Sequence, residues 1–376
     1  MGDYEIPWAK PYFDGEELEE VKGSFETGWL SMGKKVRKFE KVMAELVGAR
    51  YAVAVANGTV ALDLAMKALE IERGDEVIVP AMTYFASAST VSYQGATPVF
   101  VDIDPTTFNL DPIRIEEAIT TKTKAILFID YGGNPAAYDQ ISQIAKAHGI
   151  PLLQDAAQSL GAVYKGAAAG AQAPVSTMSF HLAKVMTCVE GGMVFSDSLK
   201  MDSRLRTLRN HGEPPGEKYT HVALGTNARM TDISAGIGLA QARKLPFFLA
   251  ERNRVAEHYD ELFSASENGV KKIKTPKIQE AESRNAYFFY PVLLDSRDQI
   301  AQDLRAKFRI DTRIAYPVPV YGQPIYKSQK LPFRKMACPV AEDFCKKVLN
   351  LPIFPGMSSR DIEKVVGAVS RLVSSE

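Results

Sequence analysis

Lys184 stands in the run Ser179-Phe180-His181-Leu182-Ala183-Lys184, downstream of Asp155-Ala156-Ala157-Gln158 and shortly before Glu190-Gly191-Gly192. A lysine alone carries little information, because most lysines are solvated surface charges. Placed after a serine and after an aspartate that closes an apolar segment, it belongs to a set that could hold an aldehyde cofactor. The amine would form a Schiff base, the hydroxyl would meet a phosphate and the carboxylate would keep a ring nitrogen protonated.

Each of these residues also has a plainer reading. Asp155 ends the apolar stretch Pro151-Leu152-Leu153-Gln154, where an ionised carboxylate needs a partner. A protonated pyridinium nitrogen is one such partner, and a helix-capping role is the alternative. Ser179 and His181 flank Phe180 at a strand end and share a face by the period of two. Ser179 could donate to a phosphate, whereas His181 is either a polar neighbour of the site or a structural histidine. Asn57-Gly58-Thr59 opens a helix after a strand, so its free N–H groups suit an anion, or it is simply an N-cap turn. Gly191-Gly192 lets backbone approach a ligand closely, or makes a turn between strands.

The elements that would position these groups alternate. Tyr51–Val55, Glu76–Val79, Pro98–Val101, Ala125–Ile129, Pro151–Leu153, Thr177–Phe180 and Met193–Ser196 read as strands. Most are continuously apolar, as in strands covered on both faces. Helical patterns at Thr59–Leu69, Phe85–Tyr93, Pro112–Ala118 and Tyr138–His148 lie between them. This predicts an α/β fold with a mostly parallel seven-stranded sheet, its polar residues just beyond the strands' carboxyl ends where such sheets bind ligands. From about Met230 the pattern changes: a long helix at Asp232–Phe263 interrupted by Pro246, a strand at Tyr287–Leu294, and helices at Arg297–Phe308 and Ser359–Val373. We therefore expect a large domain over 1–245 and a smaller C-terminal α+β domain over 246–376. The Pro- and Tyr-rich stretch Tyr316–Pro339 reads as an irregular loop near the site.

Composition narrows the function classes. Lys+Arg and Asp+Glu both total 45 in the 376 residues, so there is no basic excess of the kind nucleic-acid binding requires. No apolar run is long enough for a membrane span, and the first residues lack the basic start and apolar stretch of a signal peptide. The three cysteines, Cys188, Cys338 and Cys345, are odd in number and lack metal-ligand spacing. The expectation is a reduced, cytoplasmic enzyme that holds no metal and binds neither nucleic acid nor membrane.

Beyond these motifs the chain carries Gly28-Trp29-Leu30-Ser31, Pro80-Ala81-Met82-Thr83-Tyr84, Asn210-His211-Gly212, Gly225-Thr226-Asn227-Ala228-Arg229-Met230 and Asn350-Leu351-Pro352. In this order and spacing, over nearly the whole length, it resembles the DegT–StrS family of pyridoxal-phosphate-dependent sugar aminotransferases, of fold type I. The resemblance implies that Lys184 forms the Schiff base with pyridoxal 5'-phosphate (PLP) and then serves as base and acid of the 1,3-proton shift. It implies that Asp155 pairs with the pyridine nitrogen, that Gln158 lies by the ring hydroxyl and that Tyr84 stacks on the ring. Gly58, Thr59 and Ser179 would hold the phosphate. Asn227 would reach the phosphate of a neighbouring subunit, giving a homodimer with shared active sites. Trp29, His181, Arg229 and Tyr316 are carried as substrate-side candidates. One departure is visible: many relatives have a histidine where this chain has Asp130, ahead of Tyr131-Gly132-Gly133-Asn134, on the side bordering substrate.

The resemblance further implies a ping-pong transfer of the amino group from L-glutamate to a nucleotide-linked keto-sugar. A 4-keto-6-deoxy sugar is the leading acceptor, with a 3-keto sugar or keto-cyclitol as the alternative. Relatives that remove a sugar hydroxyl carry histidine where this chain has Lys184, so the lysine opposes a dehydratase. Retention of Asp155, Gln158, Ser179 and Lys184 together opposes a non-catalytic regulator. The Gly28–Ser31 and Asn227–Met230 motifs weigh against a transaminase of small amino acids.

Overall fold

The computed structural model describes residues 4–265, 282–328 and 330–374. Its centre is a sheet in the order Tyr51–Val55, Gly192–Ser196, Val175–Ser179, Leu152–Asp155, Thr123–Ile129, Glu76–Pro80, Thr97–Val101, Arg334–Lys335. Gly192–Ser196 runs antiparallel to both its neighbours, and every other pairing is parallel. The strands are nearly all buried along their length, as strands covered on both faces must be.

The sheet has eight strands rather than the seven expected. The eighth is the two-residue edge Arg334–Lys335, parallel to Val99 and Phe100 and followed by Met336 donating its N–H to the Phe100 carbonyl. It is too short to leave a periodic signal. It also lies in the stretch read as an irregular loop, which further contains a short helix at Pro324–Lys327. Most aromatics of that stretch pack as core: Tyr321, Tyr326 and Phe333 all meet the ring of Phe100.

Register sets the chemistry-bearing end of the sheet. Val55 pairs with Gly192, and Gly192 in turn pairs with Ser179. Asp155 pairs with Thr177 and with Ile129. The residues just past Val55, Pro80, Ile129 and Asp155 therefore share one edge with Ser179 and Gly192, and the site is built on that edge.

Two helices at the N-terminal side, Glu16–Thr27 and Lys34–Val47, pack on the helix Asp232–Ala265. Lys34–Val47 buries Val36, Phe39, Met43 and Val47. Its free N–H groups are satisfied from far away in sequence: the buried carboxylate of Asp232 accepts from Gly33 (2.8 Å), Lys35 (3.2 Å) and Val36 (3.0 Å). From the same helix Glu40 is buried and receives Ala54 N–H, Arg206 and Arg209, which ties the first strand to the helix Leu199–Arg209. A buried carboxylate stays ionised only with such partners.

The helix Asp232–Ala265 continues through Pro246. Its first part, to Phe248, lies in the main core with the sheet, and Val255, Ala256, Tyr259 and Phe263 lie in a second apolar cluster. That cluster joins the antiparallel pair Tyr290–Leu293 and Val348–Leu351 to the helices Arg297–Phe308 and Ser359–Ser374. It also takes in Ile6 from the start of the chain. The position 245/246 falls within the long helix, whose earlier part serves the first cluster and whose later part serves the second.

Replacing Asp232 with alanine should cost about 2–4 kcal/mol, because three N–H groups lose their acceptor together. Asp232→Asn, which keeps one acceptor oxygen, should cost less. Urea unfolding measures both; a loss within about 0.5 kcal/mol, typical of an unimportant surface change, would contradict the capping role.

Candidate active site

Lys184 is placed by a tight loop beyond the strand Val175–Ser179. The strand ends at Ser179, and Phe180 turns into the core against Phe39, with ring centroids 5.2 Å apart. The Phe180 carbonyl accepts from Cys188 N–H and from the Thr187 hydroxyl, and Lys184 N–H donates to His181. Phe180 is thus the peg on which the loop hangs. From it the lysine side chain extends over the ring of buried Phe288, its Nζ 4.5 Å from the centroid. Burial disfavours the ammonium form and lowers the Lys184 pKa to about 8, against the attraction of Asp155.

Asp155 is the last residue of its strand and is buried. Burial raises its pKa, opposed by a hydrogen bond from Ser87, by the N–H of Ala157 and by the charge of Lys184. The Ser87 hydroxyl donates to Oδ2 at 2.8 Å, and the Thr83 and Ser87 hydroxyls lie 2.8 Å apart. Since Ser87 uses its proton on Asp155, Thr83 is the donor between them. The carboxylate is therefore oriented by neutral donors, and its counter-charge is a lysine rather than a hydrogen-bonded arginine. The capping alternative is present only as the weak Ala157 contact at 3.2 Å.

The neighbouring strand ends form a cradle. Asn57 is indeed an N-cap: its Oδ1 accepts from Val60 N–H and its carbonyl from Ala61 N–H. The N–H groups of Gly58 and Thr59 have no hydrogen bond among the described residues. Space here is tight. A Cβ on Gly58 would lie 2.7 Å from Ser179 Cβ, and one on Gly192 would lie 2.3 Å from the Asn57 carbonyl oxygen. Two unused helix N-terminal amides beside a serine hydroxyl, in a pocket that admits no side chain, suit a phosphate. A buried carboxylate that lacks a hydrogen-bonded cation suits a protonated ring nitrogen. Both features fit PLP.

The remaining candidates are distributed unevenly. Gln158 is buried; its Nε2 donates to the Tyr316 hydroxyl (3.1 Å) and its Oε1 accepts from Gly132 N–H (2.8 Å). Tyr84 is 59% exposed and its ring lies 6.0 Å from that of Tyr316. His181 is exposed and turns toward Glu190 at 3.8 Å rather than inward. Arg229 donates to Asn210 Oδ1 at 2.6 Å, and exposed Asn227 pairs by backbone with Asn210 beyond the first strand. Within one chain these two are held by Asn210 and not by the Lys184–Asp155 pair. Trp29 is 60% exposed, its indole N–H bonded to the Met32 carbonyl. It lines a cavity of about 500 Å³ with Met32, Lys34 and Arg37.

Asp130 differs from expectation. It does not border an open substrate face but is fully buried, accepting from Ala136 N–H, Gln154 and Ser159, with burial raising its pKa to about 6. Sequence reasoning also missed Ser87, Thr83 and Phe288. Ser87 follows the Pro80–Tyr84 motif within the helix Phe85–Tyr93, but nothing local marks it from Ser89; Phe288 arrives from a distant segment.

A sequence model of the DegT/DnrJ/EryC1/StrS aminotransferase family matches residues 11–370. The chain is 37% identical over 374 residues to GDP-perosamine synthase of Caulobacter vibrioides, covering 98% of each. It is 36% identical over 344 residues to UDP-2-acetamido-2-deoxy-3-oxo-D-glucuronate aminotransferase of Pseudomonas aeruginosa, covering 91% of this chain and 92% of that one. Among solved structures, DesV of S. venezuelae, in complex with a ketimine intermediate, superposes with a TM-score of 0.90 at 33% identity over 98% of both chains. Half-buried Lys184, the buried carboxylate of Asp155 and the glycine-lined cradle thus sit in a chain that belongs to the DegT/DnrJ/EryC1/StrS aminotransferase family.

Proposed function

We propose that this protein moves an amino group from L-glutamate to a nucleotide-linked keto-sugar, most simply a 4-keto-6-deoxy sugar, in two half-reactions at one site. The observation that carries the reading is the placement of Lys184, its Nζ over the Phe288 ring and its pKa lowered by burial to about 8, within electrostatic reach of the buried carboxylate of Asp155. A 3-keto acceptor is the second reading, favoured by the likeness to the Pseudomonas aeruginosa enzyme named for a 3-oxo sugar; a keto-cyclitol is a further possibility of the same class. Lysine rather than histidine at 184 supports amine transfer over loss of a hydroxyl.

PLP, when bound, supplies an electron sink and carries the amino group between the two substrates. The protein's residues do the rest. Lys184 would take the proton from the carbon bearing the donor nitrogen and deliver it to the carbon on the far side of that nitrogen. With a pKa near 8, roughly a tenth of the amine is neutral at pH 7, which is enough for a base and leaves a competent acid. Asp155, fixed by Ser87, would keep the ring nitrogen protonated, and Gln158 would meet the ring hydroxyl. Gly58, Thr59 and Ser179 would hold the phosphate, and Tyr84 would cover the ring. Asn227 would reach the phosphate held by a second copy of the chain, so that the active unit would be a homodimer. Trp29, His181, Arg229 and Tyr316 contribute to substrate binding, with Lys34 and Arg37 beside Trp29 available to diphosphate oxygens.

Three measurements test this. Lys184→Ala should lower turnover by at least about 10³-fold, the scale of losing an acid–base group together with a covalent anchor; comparable turnover in that variant would sink the reading. In the cofactor-free protein, reaction of Lys184 with an amine-selective reagent should titrate near pH 8. Asp155→Asn should move that midpoint lower, because the carboxylate that favours the ammonium form is gone; a midpoint that stays or rises would contradict the pairing. Finally, Asn227→Ala should weaken PLP retention, and mixing it with Lys184→Ala subunits should restore one intact site per mixed dimer. No recovery in the mixture would mean that the sites are not shared.

A further inference from the structure

Tyr131 is a large side chain with no exposed surface, set between the rings of Phe289 and Phe344. Its hydroxyl, the single polar atom of that side chain, donates to the Ala315 carbonyl at 2.6 Å, with Asn350 Oδ1 at 3.4 Å. Ala315 immediately precedes Tyr316, whose hydroxyl takes Gln158 Nε2; Gln158 Oε1 takes the N–H of Gly132, which immediately follows Tyr131. The bonds close a ring: Tyr131 to Ala315, Tyr316 to Gln158, Gln158 to Gly132, and back along the chain. Asn350 locks the same segment from the other side. Its backbone pairs with Arg313 in both directions and its Nδ2 donates to the Arg313 carbonyl at 3.1 Å.

We propose that Tyr131 is the positioning residue for Tyr316, fixing through the Ala315 carbonyl and the Gly132 amide where the Tyr316 and Gln158 side chains present their polar atoms to the site. The proposal rests on the reading of Gln158 and Tyr316 as cofactor- and substrate-side groups. It adds that a hydroxyl with no access to either ligand sets their geometry. The arrangement suits the task. The Tyr131 ring is immobilised by its packing, its buried phenol remains a neutral donor, and the carbonyl it holds is one peptide away from the tyrosine it places. Asn350, in the Asn350-Leu351-Pro352 motif that the chemistry otherwise leaves unused, is the second arm of the clamp.

Tyr131→Phe removes one oxygen and keeps the ring that fills the core. Amide hydrogen exchange on the cofactor-free protein should then accelerate at Gly132 and over residues 313–316 and stay unchanged in the central strands. Gln158→Leu, which cuts the same ring at another point, should give the same local pattern. In the holoenzyme, Tyr131→Phe and Tyr316→Phe should each lower turnover on the order of ten-fold, a fraction of what a misplacement of about 1 Å can cost. The double variant should fall no further than about two-fold below either single one, as for residues acting through one device. Unchanged exchange, acceleration across the whole molecule, or single-variant effects that multiply in the double variant would each overturn the proposal. If no keto-sugar is aminated by the wild type, the functional reading fails, and the exchange measurement still decides whether Tyr131 places Tyr316.

Discussion

Desolvation of two opposite charges at the carboxyl end of one sheet is the constraint that organises this protein. Asp155 and Lys184 come from adjacent parallel strands and the loop that follows, and burial works against the ionised form of each. Burial pushes each toward neutrality; it is opposed at Asp155 by the Ser87 hydroxyl, the Ala157 N–H and the charge of Lys184, and at Lys184 by the charge of Asp155. The surrounding fold sustains that balance. Ser87 and Thr83 orient the carboxylate, Phe288 covers the amine and Phe180 pins the loop that carries it. The pair is costly to bury in stability terms. Groups so perturbed concentrate where chemistry is done.

The second constraint is closeness. The antiparallel strand Gly192–Ser196, inserted between two others, brings Gly192 against Asn57 and Gly58 against Ser179 without room for a Cβ at either glycine. This explains why short, small-residue motifs recur at the strand ends: side chains there would fill the space that helix amides need in order to face an anion. Around this rigid centre the outer groups are looser. Tyr84, Trp29, His181 and Asn227 are all exposed in the single chain.

What was legible in the sequence follows from the range of the signals. The helices Phe85–Tyr93, Pro112–Ala118 and Arg297–Phe308 have the bounds their patterns predict, since apolar spacing is local and Asp111 caps the second of them. Lys34–Val47 has clear apolar spacing but no adjacent capping residue, because its cap is Asp232, which is distant in sequence. The edge strand Arg334–Lys335 is too short for periodicity, and the tyrosines near it turn into the core rather than the site, Tyr316 excepted. At the site, Asp155, Gln158, Ser179 and Lys184 announce themselves by motif. Ser87 and Phe288 do not, because their roles arise only when separate segments meet. Asp130, read as bordering the substrate, proves to be a buried brace of the turn that follows it.

In the proposed function Lys184 directs the passage of nitrogen from an amino acid to a sugar carbonyl. Incubating the PLP-loaded protein with ¹⁵N-labelled L-glutamate and a nucleotide 4-keto-6-deoxy or 3-keto sugar, then weighing the sugar product by mass spectrometry, tests it directly. The expected result is ¹⁵N in the sugar with the wild-type protein and none with Lys184→Ala. A deoxygenated sugar without nitrogen, or equal labelling by the Lys184→Ala variant, would contradict it.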